Sequence, residues 1–189
     1  MLLFPIEIIA VIIGLIYVFL EYRASYWLWI VGIIMSLFYI YIYMKTNCYA
    51  WAFTYLYYLG ANVYGIVVWG KKSDDNKNSG ISKLPKKYYL PICILTACFT
   101  IIFFVIIYKY TETKIPICES FSTALSVIGM WLLAKKYIQH WHVWMVVNII
   151  YALANLLLKL YFSSFLFAVY FLVSIMGLIR WQNLSNIKK

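Results

Sequence analysis

The sequence predicts an all-α integral membrane protein with seven transmembrane helices, built as two parallel three-helix repeats joined by a linker helix. Three observations carry this expectation. With 66% hydrophobic and only 12% charged residues and a mean hydropathy of +0.85, the chain holds more apolar side chain than a water-soluble core of 189 residues can enclose. Seven apolar runs are each long enough, at ~1.5 Å per residue, to cross the ~30 Å hydrocarbon layer of a bilayer. The sequence also matches itself at one ungapped offset of 112 residues.

The runs are Leu2 to Leu20, Tyr26 to Tyr43, Cys48 to Trp69, Tyr88 to Tyr108, Ile115 to Ala134, Tyr137 to Leu158 and Leu160 to Trp181. Met1 to Glu7 lacks a basic leading region and a small-residue cleavage site, so the first run is expected to remain as a span. Short connections make successive helices antiparallel neighbours. The exception is Gly70 to Lys87, whose Lys, Asp, Asn, Ser and Gly read as a solvated linker. Three parts follow: 1–69 as a first three-helix bundle, 70–114 as cytoplasmic linker plus linker helix, and 115–189 as a second bundle and tail.

Basic residues set the expected orientation. Arg23, the linker lysines 71, 72, 77, 83, 86 and 87, Lys135, Lys136, Arg180, Lys188 and Lys189 fall on the face of the C-terminus; Lys45, Lys109, Lys114 and Lys159 fall on the other. The positive-inside rule puts the C-terminus and linker in the cytoplasm and the N-terminus outside, in an inner (plasma) membrane. This placement accounts for the net charge of +10 through the lipid surface, without a nucleic-acid partner. Trp and Tyr at helix ends fit the interfacial belt. Glu21, Arg23, Lys135 and Lys136 sit at helix ends, where snorkelling explains them.

The offset of 112 pairs Glu7 with Glu119, Arg23 with Lys135, Trp29 with Trp141, Tyr58 with Tyr170, Gly65 with Gly177 and Trp69 with Trp181. It spans four helix starts, an even number of crossings, so the copies share one orientation and the fourth helix is the inverting linker. This is the repeat class of the SWEET transporters, whose sites lie near the bilayer midplane between the repeats.

One stripe stands out within this frame. Trp141, Trp144, Asn148, Tyr151 and Asn155 step by three and four along the sixth helix and share one face. An unpaired amide in hydrocarbon costs several kcal/mol, roughly, so Asn148 must face protein, water or a ligand. An interhelical hydrogen bond satisfies that demand; a slot that stacks a flat ring and bonds its substituents satisfies it and also uses the tryptophans. Indole faces attract cations. In the third helix Asn62 shares a broad face with Tyr58, Gly65 and Trp69, while Gly60 and Gly65 are expected to let helices approach closely. Pro116 and Glu119 fit a helix start, with Glu7 in the same role in the first copy. At the offset, Gly32 stands opposite Trp144 and Ser36 opposite Asn148, small residues expected to leave room for a ligand recognised mainly by the second copy.

No other chemistry is indicated. Cysteines 48, 93, 98 and 118 have no CxxC spacing, and His140 and His142 have no third ligand nearby in sequence, so no metal site, disulfide or cofactor is expected. Nucleophile elbow, phosphate loop and HExxH are absent from the sequence, which places catalysis behind transport and leaves a non-transporting sensor as the other alternative.

The spacing Trp141-x2-Trp144-x3-Asn148 resembles the WxxWxxxN signature of the Pnu-type vitamin transporters, the PnuC family. Phe121 to Lys136, Trp27 to Gly32 and Tyr64-Gly65-x3-Trp69 resemble the flanking segments of that family, so the likeness covers nearly the whole chain. The resemblance implies facilitated diffusion of an unphosphorylated vitamin, trapped afterwards by a cytoplasmic kinase. It implies nicotinamide riboside as substrate, or thiamine for the PnuT-type relatives, with Trp141 and Trp144 enclosing the ring and Asn148 bonding its polar groups. Tyr55 stands where family members often carry Gln, and Asn at position 148 is the form associated with nicotinamide riboside. The oligomeric state stays open, a homo-oligomer included.

Overall fold

In the computed structural model, residues 3–47, 49–70, 80–110 and 115–186 are described. Cys48, most of the linker with Lys71, Lys72 and Lys77, Lys114, the last two lysines and the side chain of Glu7 lie outside what is described. Seven α-helices follow in order: α1 Leu3–Tyr22, α2 Leu28–Lys45, α3 Tyr49–Gly70, α4 Tyr89–Tyr110, α5 Pro116–Ala134, α6 His140–Leu157 and α7 Tyr161–Asn186.

Among the described residues five stretches are long and apolar enough to cross a membrane: Leu28–Lys45, Lys86–Tyr110, Pro116–Ala134, His140–Leu157 and Tyr161–Ser185. The sequence reading expects seven. In α3, Thr54, Tyr55, Tyr58 and Asn62 are buried against protein rather than lipid, and their polar groups lower the hydropathy.

Helix ends repeat at the offset seen in the sequence. Ala24 and Lys136 take left-handed φ values of 52° and 58°, and Asn47 and Lys159 take 57° and 61°. These are the residues at which α1 and α5, then α2 and α6, stop. The turn bonds recur with them: Ser25 N donates to Leu20 O and Tyr137 N to Leu132 O, both at 2.9 Å. For this reason α6 begins at His140 rather than at Tyr137. Residues 137–139 form the turn, and Ser82 pairs with it through Ser82 N to Lys136 O at 3.1 Å and Ile138 N to Ser82 O at 3.0 Å.

Packing repeats as well. Trp29 of α2 lies on Gly65 of α3, and Trp141 of α6 lies on Gly177 of α7; a Cβ at either glycine would run into the indole. Each indole then meets a second edge-on, Trp29 to Trp69 at 5.3 Å and Trp141 to Trp181 at 5.8 Å. Gly60, by contrast, has open space around it. Within each half consecutive helices pack on each other, and the halves meet where α3 touches α5 and α1 touches α7. Hydrogen bonds tie this seam: Thr54 Oγ1 to Thr123 Oγ1 at 3.0 Å, Trp69 Nε1 to Ala134 O at 3.1 Å, and Tyr170 OH to Gly14 O at 2.5 Å. Tyr43 OH donates to Asn155 Oδ1 at 3.3 Å, a pair 112 positions apart.

The α4 helix differs from the rest. It packs mainly on α5, and Ile107 is its one buried residue. Leu90, Ile94, Ile101, Val105 and Ile106 are exposed, an all-round apolar surface that lipid can cover. Cys93, Cys98 and Cys118 are free and exposed, and no metal-ligating cluster occurs among the described residues.

Candidate functional site

Between the two halves lies a cavity lined by side chains of both. The first half contributes Glu21 from α1, Ser36 from α2, and Tyr55, Tyr58 and Asn62 from α3; the second contributes Trp144, Asn148 and Tyr151 from α6, and Phe167, Tyr170 and Ser174 from α7. Several of these are repeat partners: Ser36 with Asn148, Asn62 with Ser174, Tyr58 with Tyr170 and Tyr55 with Phe167.

Two amide–hydroxyl pairs face each other across this repeat with their members exchanged. Asn62 Nδ2 reaches Ser36 Oγ at 3.4 Å, and Asn148 Nδ2 reaches Ser174 Oγ at 3.3 Å. The serines are anchored one turn back, Ser36 to Gly32 O and Ser174 to Tyr170 O, each at 2.7 Å. Asn62 also donates to Tyr58 O at 2.8 Å. Each amide is thereby held with part of its hydrogen-bonding capacity spent on helix packing. Asn62 Oδ1, the Tyr58 and Tyr151 hydroxyls and Trp144 Nε1 are buried without a hydrogen bond of good geometry among the described residues. The hydroxyls of Tyr58, Tyr151 and Ser126 lie within reach of one another. Asn62 Oδ1 and Trp144 Nε1, left without such mutual partners, mark where a polar ligand would be stabilised.

Five of the seven residues singled out from the sequence line this cavity: Trp144, Asn148, Tyr151, Asn62 and Tyr58. Trp144 stands edge-on to Tyr58 at 6.3 Å and rests over Gly129 of α5. Trp141 and Asn155 stand outside the lining. Trp141 is fully buried between Gly177, Trp181 and the His140 ring, 4.5 Å away. Asn155 is spent on Tyr43 and on Tyr151 O, the latter at 2.8 Å. The room expected beside Gly32 is taken by Asn62, whose side chain occupies the place of a Cβ.

Sequence reasoning missed Ser36, Tyr170 and Ser174 as site residues, although the offset applied to Asn148, Tyr58 and Asn62 points to them. It also placed Glu21 at a water-facing helix end. The structure buries Glu21 to 4% exposure on the cavity wall, with Oε1 at 3.5 Å from His140 Nε2. At the offset position stands Leu133, so no repeat argument could have found it.

A profile of the family described as nicotinamide mononucleotide transporter matches residues 4–183. The chain belongs to this family. The nicotinamide riboside transporter PnuC of Escherichia coli (strain K12) is 21% identical over 160 residues, covering 71% of this chain and 67% of the relative. The transporter of that name from Shigella flexneri gives the same figures. A crystal structure of the vitamin B3 transporter PnuC superposes with a TM-score of 0.85 at 16% identity, covering 97% of this chain and 83% of the other. The fold is therefore the PnuC fold. Membership of the nicotinamide mononucleotide transporter family makes the chain a multi-pass membrane transporter of a small molecule rather than an enzyme.

Proposed function

We propose that the chain is a facilitator for nicotinamide riboside, taken up in its unphosphorylated form. The observation that carries this is the lining of the cavity. It offers an indole, several phenols, two amides, two serine hydroxyls and one carboxyl, and no Lys or Arg among the described residues. A nicotinamide riboside ring is a flat cation bearing a carboxamide, and its ribose is a set of hydroxyls. Trp144 offers a face to the ring; Asn148 and Asn62 offer partners for amide and hydroxyl groups. A phosphate would bring one to two negative charges into a membrane cavity with no base to meet them, a costly transfer.

The same chemistry supports trapping by a cytoplasmic kinase. Once phosphorylated, the product no longer matches the cavity and stays inside, which gives a facilitator net uptake without an ion gradient. The recurrence of backbone turns, Trp–Gly packing and amide–serine pairs at 112 residues supports a three-plus-one-plus-three, SWEET-like arrangement with a parallel pseudo-two-fold axis. Rocking of the two bundles about the seam would then expose the cavity to each side in turn. The basic residues support a cytoplasmic C-terminus.

Counterflow in proteoliposomes tests the reading. Vesicles loaded with nicotinamide riboside are expected to accumulate the labelled compound, and vesicles loaded with nicotinamide mononucleotide are not. Exchange of thiamine alone would assign the PnuT type of substrate, and exchange of the mononucleotide would contradict the charge argument.

A further inference from the structure

Glu21 and His140 hold more information than their separation. His140 Nδ1 lies 2.7 Å from Tyr137 O, and a carbonyl oxygen only accepts, so Nδ1 carries a proton. In the neutral ring Nε2 is then a bare lone pair, and it faces Glu21 Oε1 at 3.5 Å. Two acceptors buried face to face, each without another hydrogen bond, require a proton between them. It sits on Nε2, making an imidazolium beside a carboxylate, or on the carboxyl oxygen. In either form the pair is neutral and holds one proton away from bulk water, with His140 fully buried and Glu21 at 4% exposure on the cavity wall.

The surroundings leave this proton as the carboxyl's one balancing charge. On α1, Tyr17 lies one turn before Glu21 and lines the same cavity, as does Tyr170 of α7. Arg180 of α7 is turned over the Tyr22 ring at 4.7 Å, and Arg23 over Phe19 at 5.7 Å. From the end of α5, Lys135 and Lys136 lie over Tyr64 at 6.0 Å and Trp69 at 4.3 Å. His142 of α6 is exposed. Among the described residues His140 alone comes within ion-pair distance of Glu21. The His140 ring is boxed by Trp141 and Trp181 at 4.5 and 4.6 Å, so it cannot follow a ligand into the cavity, whereas Glu21 already lines it.

We propose that Glu21 is the cavity's counter-charge for a cationic substrate, and that the proton shared with His140 is the substrate's competitor for that carboxylate. When the ring cation binds, the N–H or O–H bond of the pair breaks, the proton leaves to water, and the carboxylate faces the ring. One positive charge enters as one leaves, so the cavity stays neutral in both states, which is what a low-dielectric site demands. The cavity is thus selective for monocations over neutral nucleosides, and a bound cation takes the place of one proton. This rests on the cationic substrate proposed above.

Calorimetry on the full-length protein in nanodiscs, in two buffers of different ionisation enthalpy, counts the protons released. Nicotinamide riboside is expected to release about one per molecule bound, and its neutral dihydro form none. Glu21→Gln is expected to abolish the release and to weaken the cation at least tenfold, leaving the dihydro form within threefold. Wild-type binding without proton release would overturn the proposal whatever the variant does, so a poorly folded variant does not shelter it. Equal losses for the two forms in a folded Glu21→Gln protein would make the pair structural. If the riboside fails to bind while thiamine, also a cation, binds with proton release, the substrate reading falls and this one stands; binding of neither overturns both.

Discussion

The two halves of the molecule, 7–69 and 119–181, share turns and packing and differ in the side chains they bring to the cavity. Their shared parts are backbone turns and packing: left-handed Ala24 and Lys136, Asn47 and Lys159, and an indole seated on a glycine in each. Their differences gather at the cavity. The second half puts Trp144 where the first has Gly32, and Asn148 where the first has Ser36. The first fills the space by Gly32 with Asn62 and adds the Glu21 carboxyl opposite the second half's Leu133. Under the function proposed here, repetition secures the walls and its departures supply recognition: ring and amide contacts from one side, charge from the other.

The largest expected effect probes the shared scaffold. Trp29→Ala and Trp141→Ala each empty a fully buried indole site and are expected to cost ~3–5 kcal/mol of stability, alike in both halves. Unfolding in micelles measures it. A Trp141→Ala protein of normal stability but without ligand binding would move Trp141 from wall to site. Next comes the asymmetry. Trp144→Ala is expected to weaken binding of nicotinamide riboside by ~1–3 kcal/mol through loss of the ring contact, with much less effect on stability than Trp141→Ala.

The amide pairs provide a finer contrast. Asn148→Ala is expected to cost ~1–3 kcal/mol in binding, whereas Ser36→Ala, which removes a hydroxyl already bonded to Gly32 O, should cost under ~1 kcal/mol. Titration calorimetry reads both, and equal losses would erase the proposed division between halves. A last contrast, ending in the smallest effect at Gly60, concerns glycines of one helix. Gly65→Ala drives a Cβ into Trp29 and is expected to destabilise by ~1–3 kcal/mol. Gly60→Ala meets open space and is expected to stabilise by up to ~1 kcal/mol, from helix propensity.

The sequence made much of this readable because period and offset are local quantities. Seven helices, the 112-residue register and the Trp144–Asn148–Tyr151 face all follow from spacing. Facing partners were harder. A helical stripe about four turns long cannot all look into one cavity, so Trp141 and Asn155 at its ends turn out to pack against α7 and the seam. Glu21 was out of reach because its meaning depends on His140, 119 positions away in sequence and brought close only by packing. Gly32 misled in the same manner, since Asn62 fills its space from another helix.

A structure of the complex with nicotinamide riboside tests the central claim most directly. The ring is expected in the cavity between the halves, against Trp144, with its carboxamide or ribose at Asn148 and its charge toward Glu21. A ring seated against Trp141 and Trp181, or anywhere outside the seam, would contradict the division of labour between the two halves.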